Sequence, residues 1–228
     1  MFTYYKNDSV RKLVIGFGNL FNGIQIEQTN TDNSKRSFTV PLTYASKEKF
    51  IRRLTEHSSI SENTRIEIGV PQMSFELVAL VYDPARRMNK LSKMTQISAD
   101  QNSIAASYTE TPYNFTFNLY VYTRNIEENL QILEQILPYF SPEFIISLNM
   151  SNMHQAVDVP IVLSQTNLTQ EYEGDFSTRR NIVSTYQFTA KSYVYGNINS
   201  NFGTSIRTVT INTSDTLPTF TNSFGLTA

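Results

Sequence analysis

Residues able to do chemistry are few and widely separated in this chain. Its two histidines, His57 and His154, lie far apart, and neither has a second metal ligand at helical spacing. Cysteine is absent, which excludes disulfides, thiolate catalysis and cysteine-bound zinc. There is no G-x-S-x-G motif and no P-loop to favour a serine hydrolase or a nucleotide site. The sequence therefore predicts no catalytic residue, no metal site and no cofactor, and we expect that the protein is not an enzyme.

Two short motifs superficially suggest a ligand site. Gly16 and Gly18 have the spacing of a dinucleotide loop, but they follow no strand and a third glycine is missing. We interpret them as glycines that pack a helix against a close neighbour. Glu171, Glu173 and Asp175 lie in one polar segment, yet their spacing does not match an EF-hand. A solvated acidic loop is the better interpretation.

The remaining candidates are charged clusters and aromatic residues suited to contact with other proteins. Nineteen basic and twenty acidic residues give a net charge of -1, so the overall positive charge of a nucleic-acid-binding protein is missing. Each charged cluster is either an ordinary solvated surface or a contact, and balanced charge favours contacts between protein subunits over contacts with phosphate. The candidate interface residues are Lys47, Lys49, Arg52, Arg53, Arg86, Arg87, Tyr139, Phe140, Glu171, Glu173, Asp175, Arg179 and Arg180.

The elements that must position these residues are clearest between Tyr120 and Phe144. Asn125 and Glu128 have the spacing of a capping box and predict the start of a helix. Helical spacing of the apolar residues predicts a core face made of Ile126, Leu130, Leu133 and Leu137, with Ile132 and Ile136 beside them. Pro138 ends this helix and places the aromatic pair 139–140 in a turn.

Similar patterns predict the other elements. An amphipathic helix is expected over residues 10–21, followed by a hairpin with a long tip and by a short basic helix over 47–54 that Ser46 caps. Apolar or alternating segments predict strands at 65–70, 74–82, 113–121, 159–163, 182–195 and 206–211, and the apolar segment 74–82 is typical of a central strand.

These elements predict an α+β fold, in which a mixed, mainly antiparallel sheet packs with a few amphipathic helices. We expect one core domain over residues 1–195, with an exposed arm around 85–111 and an extended C-terminal tail over 196–228. The most apolar stretch, from Phe75, is too short to cross a bilayer as a helix, and no secretory signal is evident. We therefore expect a soluble protein that is intracellular when made.

Several segments carry a family resemblance, namely MFTYYKNDSVRKL, GNLFNGIQIEQ, VPLTYASKEKFIRRL, YTRNIEENLQILEQILPYFSPEF and STRRNIVSTYQFTAKSYVY. PLTYASKE and EQILPYF are the most specific pieces. On these segments the chain resembles the tail completion and sheath-stabiliser (tail terminator) proteins of T-even-like contractile-tailed bacteriophages. The resemblance spans most of residues 1–195 and is poor at 85–111 and after Gly196.

The resemblance implies a tail-terminator-like fold and a virion protein at the head-proximal end of the tail, assembled in the host cytoplasm. It implies a homohexameric ring that caps the tail, docks on the tube terminator and the tail sheath protein, and presents a surface to neck proteins. We expect no contact with a membrane, and we expect nucleic acid only as DNA that passes through the channel. The alternatives are another phage neck or baseplate adaptor with the same core, or an adaptor that lines the DNA channel.

Overall fold

A computed structural model describes residues 4–29, 34–49, 52, 70–97, 103–150, 153, 156–171, 181–204, 208–212 and 223–227. The chain divides into two compact units. The large unit comprises Asn7–Arg87 and Thr111–Val194, and the small unit comprises Met1–Lys6, Met88–Glu110 and Tyr195–Ala228. The elements in chain order are α1 (Ser9–Phe21), β1 (Gln25–Thr29), β2 (Lys35–Thr39), β3 (Leu42–Tyr44), β4 (Gln72–Tyr82), β5 (Lys93–Ile97), β6 (Ser103–Tyr108), β7 (Thr111–Thr123), α2 (Ile126–Ile136), β8 (Glu143–Leu148), β9 (Val157–Glu171), β10 (Asn181–Val194), β11 (Ile198–Thr204), β12 (Thr208–Asn212) and β13 (Ser223–Thr227).

The large unit is built on a six-stranded sheet with the strand order β3-β4-β7-β10-β9-β8. β3 runs parallel to β4, and all other neighbours in this sheet are antiparallel. A separate hairpin is formed by β1 and β2, as the sequence predicted. The predicted α+β class with a mixed, mainly antiparallel sheet is confirmed.

The core lies between α1 and one face of this sheet. The ring of Phe17 stacks on Phe117 of β7 at 4.3 Å and approaches Phe75 of β4 and Phe188 of β10 at 5.5 and 5.4 Å between ring centroids. A Cβ atom added to Gly18 would lie 2.8 Å from Cζ of Phe75. The predicted packing role of this glycine is therefore confirmed, because only hydrogen fits between helix and sheet there.

The helix α2 begins where the sequence predicted, but it turns a different face inward. Ile132 and Ile136 are buried as expected, together with Asn129, whereas Leu130 is 44% exposed. The amide of Asn129 donates to Thr123 Oγ1 at 3.3 Å, and its oxygen accepts a hydrogen bond from the Ser184 hydroxyl at 2.8 Å. The predicted core face was wrong for Ile126, Leu130 and Leu137, because these polar partners draw the asparagine inward.

The capping box also differs from its prediction. Asn125 precedes α2 in an extended conformation, but its side chain makes no capping hydrogen bond. The carboxylate of Glu128 instead accepts a hydrogen bond from Gln28 Nε2 at 2.6 Å and is buried. The residue that was expected to cap the helix therefore ties it to β1.

The small unit contains a three-stranded sheet in the order β11-β6-β5, and β12 pairs with β13. Strands β5 and β6 were not predicted, since residues 85–111 show no sustained period, whereas β12 confirms the strand expected near residues 206–211. Lys93 lies 4.6 Å from the ring centroid of Phe202, a cation-π contact between β5 and β11. The division into core, arm and tail stays a prediction. No helix among the described residues is long and apolar enough to span a membrane.

Candidate interaction surfaces

The basic helix predicted at 47–54 is described only in part. Residues 47–49 and 52 are helical, and the amide of Lys49 donates to Ser46 Oγ at 3.5 Å, which confirms the predicted cap. Lys49 and Arg52 are exposed, and Lys47 is half-buried. Arg53 lies outside the described residues.

Most of the acidic cluster at 171–175 and the whole basic pair at 179–180 also fall outside the described residues. Glu171 ends β9, while Glu173, Asp175, Arg179, Arg180 and both histidines belong to the part that is not described. Whether the acidic cluster faces a basic helix on another subunit stays a prediction.

Arg86 is held within its own subunit. Its guanidinium lies 2.8 Å from the Asp83 carboxylate, donates to Asn114 Oδ1 at 2.8 Å, and stands 5.1 Å from the ring centroid of Tyr193. The hydrogen bond from Arg86 is the main reason why the pKa of Asp83 lies below its usual value. Arg87, the next residue, is exposed. Of this predicted pair, Arg87 is thus the residue positioned to reach another molecule.

The aromatic turn after α2 lines a groove. Phe140 is half-buried and packs on Phe188, Phe144 and Phe21 at 5.0, 6.0 and 6.3 Å between centroids. Tyr139 is 67% exposed and meets the ring of Phe144 edge-on. The groove has a volume of about 560 Å³ and is walled by the ends of α1 and α2 and by this turn. We call it the aromatic groove.

A second apolar surface is the end of β4, which we call the β4 edge and define as Leu77–Tyr82. Val78, Leu80 and Val81 are each about half exposed. The partner strand β3 ends at Tyr44, opposite Phe75, so no described strand pairs with the outer side of the β4 edge. The predicted central strand is confirmed, since β4 lies between β3 and β7 in the sheet, but among the described residues only its first half has a neighbour on both sides.

A third apolar surface runs along α2. Ile126, Leu130 and Leu137 are all at least two-fifths exposed and lie on one side of the helix and of the turn that follows it. We call them the α2 stripe. Their helical period was visible in the sequence, but the period alone did not distinguish a core face from a contact surface.

The outer side of β1 is closed by side chains of α2. Gln131 Oε1 accepts from the Glu27 amide at 3.0 Å and Gln131 Nε2 donates to the Glu27 carbonyl at 3.1 Å. Gln135 repeats this exchange with Gln25 at 3.3 and 2.6 Å. Two glutamines one helical turn apart therefore take the place of a neighbouring strand, a role that spacing alone did not reveal.

Two tyrosines of the large unit have raised pKa values. Burial raises the pKa of Tyr120 to about 12, and its hydroxyl donates to Glu76 at 2.7 Å. Burial likewise raises the pKa of Tyr186 to about 12. Both stay protonated at neutral pH. Within the described residues, no group of three or more histidine, aspartate or glutamate side chains could hold a metal ion.

The chain is thus an α+β protein whose described part exposes several apolar areas, and such areas are typical of proteins that assemble with others. It belongs to the T4-like virus Myoviridae tail sheath stabiliser family, which matches residues 4–225. It is 29% identical over 201 residues to the tail completion protein gp15 of Enterobacteria phage T4, and the alignment covers 86% of this chain and 73% of that protein. The family predicted from the sequence is confirmed, and with it a structural role in the tail of a phage virion.

Proposed function

We propose that this protein forms a homohexameric ring that caps the head-proximal end of the phage tail. The ring holds the contractile sheath together by binding the tail sheath protein and the tube terminator. Its opposite side provides the docking surface for the neck proteins of the filled head, and DNA passes through its channel. Assembly takes place in the host cytoplasm.

The observation that carries this proposal is that the large unit exposes apolar side chains on the β4 edge, along the α2 stripe and around the adjoining aromatic groove. A subunit in a capping ring needs a contact to each neighbouring copy and further contacts to the layers below and above it. Surfaces of this kind are stabilising only when a partner covers them. Family membership supports the sheath as one of the partners.

Charged groups are proposed to set the register of these contacts. The basic residues 47–53 are expected to face an acidic patch on another subunit, for which the sequence offers residues 171–175. Reversing the charges of one cluster is expected to weaken assembly, and reversing both is expected to restore it. Ring formation that does not respond to salt contradicts this pairing.

The test uses tails made without this protein. Purified protein is added, its mass is measured with and without tails, and its position is found by electron microscopy. We expect six copies at the head-proximal end and sheaths that keep their subunits on dilution. Label at the distal end supports the alternative of a baseplate adaptor. Retention of DNA by the protein alone, with a steep dependence on salt, supports the alternative of a channel-lining adaptor.

Two lysine variants make this test specific for the apolar surfaces. Leu80→Lys puts a charge on the β4 edge and is expected to weaken binding to tails by roughly tenfold or more, because a buried lysine lacks a partner. Thr39→Lys adds the same charge to β2, where Lys35 and Arg36 are already exposed, and is the matched control. Equal binding by both variants would show that the β4 edge is not used.

A further inference from the structure

The β4 edge offers backbone groups as well as apolar side chains. The Asp83 amide donates to the Pro112 carbonyl of β7 at 3.2 Å, and hydrogen bonding alternates along an antiparallel pair. The backbone groups of Leu80 and Tyr82 therefore point away from β7, toward the side where no described strand lies. The edge is ready to accept another strand.

The outer sides of β1 and β2 are protected in ways that the β4 edge is not. The outer side of β1 is closed by Gln131 and Gln135. The adjoining strand β2 begins with Lys35 and Arg36, and charges of this kind prevent edge pairing. The segment from Leu77 to Tyr82 contains no charged residue. Its lack of protection indicates a strand that is covered in the assembly.

The opposite end of the same sheet offers a strand of suitable length. β8 has six residues and, within the described part of the chain, pairs only with β9. Ile145 is 55% exposed there. Because β4 and β8 are different edges of one sheet, their pairing between copies repeats head to tail, which is the kind of contact that closes a ring.

Direction and side-chain facing agree with this pairing. Four antiparallel pairings lead from β4 across the sheet to β8, so β4 and β8 run in the same direction within one copy. If the ring axis runs along the strands, rotation from one copy to the next keeps this direction. The β8 strand of one copy is then parallel to β4 of the next. Val81 pairs with Asn114 of β7. The neighbouring residues Phe115 and Phe117 are buried in the core next to α1, so Asn114 and Val81 lie on the opposite face of the sheet. Ile145 lies on that same face, because its neighbour Ile146 points toward α1.

Charges at the two ends of the pairing are complementary. Lys49 lies five residues after β3, which ends opposite Phe75, and Arg87 lies five residues after the end of the β4 edge. In a parallel alignment the exposed Glu143, at the start of β8, comes to the end of the β4 edge that adjoins β3. Asp158 of β9 pairs with Ser147 near the end of β8. In the same alignment Asp158 comes to the end of the β4 edge that Arg87 follows.

We infer that β8 of one copy pairs in parallel with the β4 edge of the next copy, so that the sheets of neighbouring subunits join into one continuous sheet around the ring. This inference rests on the proposed ring and adds which two strands, β8 and β4, join neighbouring copies.

Because the chain has no cysteine, introduced cysteines test this contact without background. The double variant Val81→Cys/Ile145→Cys is bound to tails and oxidised gently. We expect a ladder of covalent multimers that ends at the ring, because each subunit can link to a neighbour on both sides. Each single variant is expected to stay unlinked. Val81→Cys/Leu130→Cys, with the second cysteine on the α2 stripe at similar exposure, is the matched control and is expected to form no ladder.

Each other outcome contradicts the inference in a distinguishable way. Covalent dimers from Val81→Cys alone would show that two β4 edges meet. A cross-link from Val81→Cys to another tail protein would show that an extended segment of that protein occupies the edge. Rings of normal mass without cross-links would overturn the pairing but leave the proposed function intact. Failure of the unmodified protein to bind tails would overturn both. All variants alter exposed positions, so unchanged melting temperatures are expected.

Discussion

The glutamine ladder between α2 and β1 gives the sharpest prediction for folding of the large unit. Replacing both Gln131 and Gln135 by alanine removes four hydrogen bonds to the backbone of Gln25 and Glu27. Each is worth about 0.5–1.5 kcal/mol net, and the low end applies because water can replace the lost partners at these exposed sites. Alanine returns a few tenths of a kcal/mol through its higher helix propensity. We expect a loss of about 1–2 kcal/mol of unfolding free energy, or a melting temperature lower by about 5 °C.

Amide hydrogen exchange shows whether the loss arises at the predicted place. The amides of Gln25 and Glu27 donate to the two glutamine side chains, whereas the amide of Ile26 faces β2 by the alternation of the pair. In the double variant we expect the first two amides to lose their protection and Ile26 to keep most of its own. A general destabilisation would instead lower the protection of all three together.

The matched control is Glu134→Ala, an exposed position on the same helix. It is expected to change the melting temperature little. Gln135→Glu is the sharper variant, because the carboxylate accepts from the Gln25 amide but cannot donate to the Gln25 carbonyl. If the double variant and Glu134→Ala melted alike, and protection at Gln25 were unchanged, the ladder would not hold the hairpin.

Further predictions concern the core and the end of β4. Gly18→Ala is expected to destabilise the fold by about 1–3 kcal/mol in urea unfolding, since its methyl group would lie 2.8 Å from the ring of Phe75; equal or greater stability would contradict the packing. Phe140→Ala is expected to cost about 2 kcal/mol, less than a fully buried phenylalanine, and a loss below 0.5 kcal/mol would contradict its role. Because the pKa of Asp83 is lowered in the folded state, its stabilising effect is present above pH 4 and is lost as pH falls further. Asp83→Asn or Arg86→Ala should therefore reduce the pH dependence of unfolding below pH 4, and an unchanged dependence would contradict this linkage.

The sequence predicted helices and strands correctly wherever the local pattern of apolar residues agreed with the tertiary packing. The helical period of α1 held although it contains Gly16 and Gly18, because these glycines lie where Leu148 and Phe75 approach the helix. The alternation in β7 held because Phe115, Phe117, Leu119 and Val121 all face the α1 side of the sheet. Strands β5 and β6 were missed because their residues are mostly exposed or half-buried and carry no clear alternation.

The β4 edge shows a different limit of the sequence. Apolar residues throughout 74–82 predict a strand covered on both sides, and this pattern is the same whether the cover is a strand of the same chain or of another. The structure shows that β3 ends at Tyr44, so the described part of this chain supplies no strand to cover the second half of β4. The apolar composition of this strand thus predicts that it is covered but does not tell which chain covers it.

The rotation of α2 connects folding with function most directly. The buried hydrogen bonds of Asn129 with Thr123 and Ser184 fix which side of the helix faces the sheet. With that side fixed, Leu130 and its neighbours along the α2 stripe must face outward, although their period is that of a core face. A helix that is apolar on two sides can bury both only when a second molecule covers the outer one. The failed core prediction therefore marks the α2 stripe as a candidate contact surface, because the side chains that the sequence expects inside are those that the proposed assembly would bury.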